Sequence, residues 1–82
     1  MKTILYTRTA AAALRRHANR AKLIRAKIAQ YAGEASSQAN NVKPLVGVDA
    51  KRLRIGDFRV IFTETNDTIT ILDVGPRGGI YE

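Results

Sequence analysis

Apolar and polar positions along this chain follow two periods in turn. Residues 2–7, KTILYT, are rich in β-branched and aromatic residues in rough alternation, which predicts a short strand. Thr9 stands before AAAALRRHA as an expected helix N-cap, and Asn19 marks an expected break. Beyond it Ala21, Ile24, Ile28, Tyr31 and Ala35 recur at steps of three and four, the stripe of a helix with one buried face. Tyr31 fits that stripe as a core residue, whereas His17 reads as a surface residue with no chemistry. The helix ends at Gly33 or runs on to Gln38, and ANN at 39–41 is turn chemistry.

From residue 42 the period changes. VKPLVGVDA holds Pro44 and Gly47, so an irregular link is expected there. Three strands follow, over about 51–55, 58–64 and 69–75, joined by two-residue turns at Gly56-Asp57 and Asn66-Asp67. The whole chain, 1–82, reads as one α+β domain: an N-terminal strand, a two-helix hairpin, then an antiparallel meander with the helices on one face of its sheet.

The first turn dictates a register. Ile55 faces Phe58, Arg54 faces Arg59, Leu53 faces Val60, and Arg52 faces Ile61. Side chains alternate across a strand, so Arg52, Arg54 and Arg59 share one face. Leu53, Ile55, Phe58, Val60 and Phe62 share the other, a floor for the helices. Like charges placed opposite each other are unfavourable unless an anion lies between them. The second turn sets Arg59 opposite Val74 and leaves Arg77 just past the last strand, at the edge of the same face. Tyr81 follows through Gly78-Gly79 and is able to fold back over it. Arginine's planar fork suits phosphate.

Charge sharpens the picture. The net charge is +7, and residues 1–33 hold eight basic side chains and no acidic one. Such a field favours a polyanion. Cysteine is absent, which excludes disulfides and thiolate metal sites. No apolar run reaches the length of a membrane span, and the N-terminus lacks the apolar core of a signal peptide; a cytoplasmic protein is expected.

Two segments carry a family resemblance. ANNVKPLVGVDAKRLRIGDFRVIF (39–62) and ILDVGPRGGIYE (71–82) resemble the RelE/ParE superfamily of bacterial toxin–antitoxin toxins, RelE/HigB-like members above all. The first is similar to its leucine-glycine link, basic strand, glycine turn and aromatic-arginine step. The second is similar to its closing Gly-x-Arg-x-x-x-Tyr.

The resemblance implies ribosome-dependent mRNA cleavage without a metal or other cofactor, in which the 2′-hydroxyl attacks the adjacent phosphate. It gives Arg59 the developing phosphorane charge and Arg77 charge stabilisation or a part in protonating the leaving group. Tyr81 would orient or deprotonate the 2′-hydroxyl, or stack on a base. Arg52 and Arg54 would hold phosphates, and Arg15, Arg16, Arg20 and Lys22 would touch ribosomal RNA. Better-known members carry lysines in the basic strand where this chain has arginines. Arginine is a poor general base, so the base is left to Tyr81 or Lys51.

The implied partners are a cognate antitoxin, itself DNA-binding, together with the ribosome and mRNA. Operator DNA would be met only through the antitoxin complex, and no membrane is involved. Two other readings stay open: a ParE-like poison of DNA gyrase, and a basic module that binds nucleic acid without cutting it. In the plainest reading, Arg59 pairs with Asp57 or Glu64, Arg52 and Arg54 guard a sheet edge, and the helix cations are a solvated face.

Overall fold

A computed structural model describes residues 1–76, apart from the side chains of residues 37–39. The order is β1 (Thr3–Tyr6), α1 (Arg8–Arg16), α2 (Ala18–Gly33), a 3₁₀ segment (Ala35–Asn41), β2 (Val42–Pro44), β3 (Lys51–Ile55), β4 (Phe58–Glu64) and β5 (Thr68–Pro76). The strands form one mixed sheet in the order β1-β5-β4-β3-β2. The expected α+β arrangement holds, with β1 added parallel to β5.

The first helix starts earlier than its sequence suggests. Thr7, not Thr9, is the N-cap: its Oγ1 accepts from the Ala10 amide at 3.1 Å and donates to the Leu72 carbonyl at 2.9 Å. The Thr7 amide also donates to the Ile71 carbonyl at 3.0 Å. Thr7 therefore ends the strand and starts the helix while still tied to β5. Thr9 lies inside the first turn, exposed. The break between helices falls at His17 rather than Asn19, with φ −113° and ψ 48°. His17 is half-buried, its ring edge-on to Phe58 at 4.9 Å, so it packs rather than simply facing solvent.

Ile24, Ile28 and Tyr31 are buried as the stripe requires, while Ala35 lies beyond the helix in the 3₁₀ segment, exposed. They meet Leu53, Ile55, Val60, Phe62, Ile69, Ile71 and Val74 from the sheet, with Leu14 and two alanines of α1. Each large aliphatic or aromatic side chain sealed there contributes roughly 1.5–3 kcal/mol of transfer free energy.

The β3–β4 register is the expected one, pair for pair. Gly56 in its turn has φ +56°, a left-handed conformation natural to glycine. β5 departs from expectation. It pairs with β4 as predicted from Glu64 to Phe62, then shifts by one residue at a bulge where Leu72 has no partner. Arg59 consequently faces Gly75 instead of Val74. The extra residue resets the alternation, so Val74 turns from the expected outer face into the core beside Val60. The link after residue 41 also holds a strand. Val42–Pro44 pairs antiparallel with β3 at the sheet's edge, where proline's missing N–H costs no ladder bond.

At one end of the core, Glu64 ties four segments together. Its carboxylate accepts from Lys2 Nζ at 2.6 Å, from the Tyr31 hydroxyl at 2.7 Å and from Lys51 Nζ at 3.0 Å. Burial alone would raise its pKa. The three donors, with the charge of Lys51, outweigh burial and hold it at about 2. Tyr31 moves the other way: burial, then the hydrogen bond to Glu64 and its charge, push the phenol above its ordinary value.

Candidate functional site

The helices cover one face of the sheet. On the other, the side chains of β2, β3 and β4 build a cationic cleft. Arg52 faces Lys43 on one side and Ile61 on the other, and Arg54 faces Arg59 directly. Arg52, Arg54, Arg59, Lys43, Asn40 and Asn41 line a cavity of about 70 Å³. Every charged residue in that lining is positive.

Arg59 is the chemically telling member. It is 8% exposed, the one charged residue buried among those described. Its Nε and Nη1 are sealed from solvent. A buried guanidinium loses much of its hydration and interacts strongly with any anion brought beside it. Arg54 lies opposite on the neighbouring strand and is exposed, so the pair offers one fixed and one adjustable cation to the same ligand. A phosphodiester meets those demands: two non-bridging oxygens, one negative charge, and a geometry that guanidinium groups match in bidentate fashion.

The expected site residues separate into groups. Arg52, Arg54 and Arg59 come together as predicted. Lys51 does not join them. It shares the inner side of β3 with Leu53 and Ile55, and its ammonium meets Glu64. Arg15, Arg16, Arg20 and Lys22 are exposed on the helices, across the sheet from the cleft. Arg25, near them, lies over the Tyr6 ring at 4.7 Å. Arg77 and Tyr81 lie outside the described residues.

Sequence reasoning missed Lys43, Asn40 and Asn41, because β2 was not expected. The signal was present in Val42-Lys43, an apolar and a cationic residue alternating in phase with Leu53 and Arg52. Pro44 masked it.

A small mixed sheet thus carries two helices on one face and an arginine cleft on the other. The sequence profile of the "ParE toxin of type II toxin-antitoxin system, parDE" matches residues 4–81, and the chain belongs to that family. Among solved structures, it is similar to a chain of the toxin–antitoxin complex RelBE2 from Mycobacterium tuberculosis. The two are 26% identical, with 93% of this chain and 98% of that chain covered and a TM-score of 0.67. YafQ from E. coli shares the fold at 13% identity, full coverage of both chains and a TM-score of 0.66. No curated protein sequence matches significantly. Among the described residues, no helix is long and apolar enough to cross a membrane.

Proposed function

We propose that this toxin is an endoribonuclease that cleaves mRNA in the ribosomal A site and so arrests translation. The observation that carries the reading is Arg59, buried in a cleft whose other charged groups are Lys43, Arg52 and Arg54. In the proposed reaction the 2′-hydroxyl oxygen of one nucleotide bonds to the adjacent phosphorus, and the bond from phosphorus to the 5′-oxygen breaks. A cyclic phosphate is left on one product and a 5′-hydroxyl on the other.

Negative charge accumulates on the non-bridging oxygens along the way. Arg59 is held where it neutralises that charge without reorganising, the kind of preorganised stabilisation that lowers barriers most. Arg52, Arg54 and Lys43 hold flanking phosphates and align the attack. We assign the proton from the 2′-hydroxyl to the phenolate form of Tyr81; Arg77 stabilises the leaving 5′-oxygen, which takes its proton from water. Lys51, occupied by Glu64 on the other side of the sheet, takes no chemical part in this scheme.

Primer extension on an mRNA in a cell-free translation reaction tests the reading, with a parallel tube that lacks ribosomes. New 5′ ends that need both toxin and ribosomes are the expected result. Their absence from both tubes overturns it.

A second reading has a specific observation in its favour: the matching profile is that of ParE toxins. In it the toxin poisons DNA gyrase, and the cationic cleft meets DNA or an acidic surface of the enzyme. A supercoiling assay separates the two. Gyrase inhibition by toxin that leaves mRNA intact selects the second.

A further inference from the structure

β5 runs along one border of the cationic cleft. Val60 and Phe62 of β4 point into the core, so Arg59 and Ile61 point outward. Gly75 is the partner of Arg59, and Asp73 is the partner of Ile61. Asp73 therefore stands on the outer face, half-buried and diagonal to Arg59. Diagonal neighbours lie about 7–8 Å apart. Among the described strand residues of this face, Asp73 is the one acid. The bulge at Leu72 puts it there. Without the extra residue, Asp73 would face Val60 and the core.

A carboxylate at the rim of an anion site weakens phosphate binding. Asp73 has a local task, since its Oδ1 accepts from the Val74 amide at 2.8 Å. Asparagine or serine makes such a bond without the charge. The charge is accounted for by a ligand that brings hydrogen-bond donors, and RNA carries these on its bases. A phosphate held between Arg54 and Arg59 leaves its nucleotide's base free to reach one strand further, over β5. The bases differ in what they offer there. Guanine presents two adjacent N–H donors, at N1 and N2, which match the two oxygens of a carboxylate. Adenine and cytosine each set one amino group beside an acceptor nitrogen that a carboxylate repels. Uracil has a single N–H between two carbonyl oxygens.

We propose that Asp73 selects guanine at a nucleotide bonded to the cleaved phosphate. The inference rests on the mRNA-cleavage reading and adds to it a base preference. Asp73 meets the base edge and not the reacting atoms, so it governs which site is cut rather than how the bond breaks.

The test uses the full chain, wild type and Asp73→Asn, on ribosomes programmed with mRNAs that carry each of the four bases, or inosine, on either side of the cleaved bond in turn. Asparagine keeps an Oδ1 for the Val74 amide, so the bulge is preserved. Wild type is expected to cut guanine sites about tenfold or more faster than the others, as one bidentate base contact discriminates. Inosine lacks the 2-amino group and should be cut about fivefold more slowly than guanine, the effect of one lost hydrogen bond to a charged group. Asp73→Asn is expected to cut guanine and inosine alike, with its rate at adenine sites within about twofold of wild type. A merely structural role would slow every site by the same factor. Folded Asp73→Asn that keeps the wild-type ratio of guanine to inosine overturns the proposal. So does wild type that cuts guanine and inosine equally, a comparison that needs no variant. Wild type that cuts none of these mRNAs overturns the mRNA-cleavage reading itself, and the base preference with it.

Discussion

Lys51 places its ammonium 3.0 Å from a carboxylate oxygen of Glu64, on the side of the sheet opposite Arg59. The alternation of β3 makes this unavoidable. Arg52 and Arg54 face the cleft, so Lys51 cannot. Lys51→Ala is therefore expected to leave toxicity within about twofold of wild type while costing about 1 kcal/mol, since the Lys51 end of the pair is half exposed and Glu64 keeps its bonds from Lys2 and Tyr31. Growth arrest and urea midpoints measure the two effects. A folded Lys51→Ala protein without toxicity would return the base to Lys51.

Arg59→Ala is expected to lower the cleavage rate by roughly 10²–10³-fold, as loss of one preorganised charge stabiliser does. Arg59→Lys keeps the charge and loses the planar fork, so its rate falls between the two. Circular dichroism confirms the fold of each variant, and single-turnover cleavage on programmed ribosomes reads the rate.

Arg54 and Arg59 repel each other when no ligand is bound. Arg54→Ala is expected to relieve that repulsion and to weaken RNA binding. The slope of log affinity against log salt should shrink by about 0.7–0.9, the share of one phosphate contact. Fluorescence anisotropy with a short single-stranded RNA across a salt series measures it. An unchanged slope would place Arg54 outside the phosphate path.

Glu64 links stability to pH. Its folded pKa of about 2 lies below the ordinary value of 4.5, so the unfolded chain takes up the proton first as pH falls. The network's contribution is complete above about pH 4.5 and is lost progressively down to about pH 2, amounting to on the order of 2–3 kcal/mol. Urea unfolding at stepped pH should show that decline in the wild type and a much flatter profile in Glu64→Gln. Tyr31→Phe removes one donor and should cost about 1–2 kcal/mol at neutral pH.

Thr7→Ala removes both the cap and the bond to the Leu72 carbonyl. A loss of about 1–2 kcal/mol is expected, against roughly 0.5 kcal/mol or less for Thr9→Ala. Thermal melts of the two variants decide which threonine starts α1.

What was legible in the sequence follows from which signals are local. Gly56-Asp57 ties a two-residue turn to one register, so the whole β3–β4 ladder and the meeting of Arg52, Arg54 and Arg59 could be read from it. The bulge at Leu72 carries no glycine or proline to mark it. Its cause is tertiary: Val74 is buried beside Val60 while Thr7 holds the Leu72 carbonyl. Pro44 argued against a strand because the rule it invokes concerns central strands, and β2 is an edge. The contacts of the helix cations with ribosomal RNA came from the family resemblance; charge shows only a basic helix surface, which lies across the sheet from the cleft. The roles given to Arg77 and Tyr81 fall outside the described residues.

The sheet order has a consequence for how the toxin is made. β5 is synthesised after every other described strand, yet it sits between β1 and β4. Until its residues emerge from the ribosome, β1 has no partner strand, and the core lacks Ile69, Ile71 and Val74. The cleft arginines are translated earlier, but the platform that holds Arg59 in place is not. The cleft is therefore completed only when β5 has paired with β4.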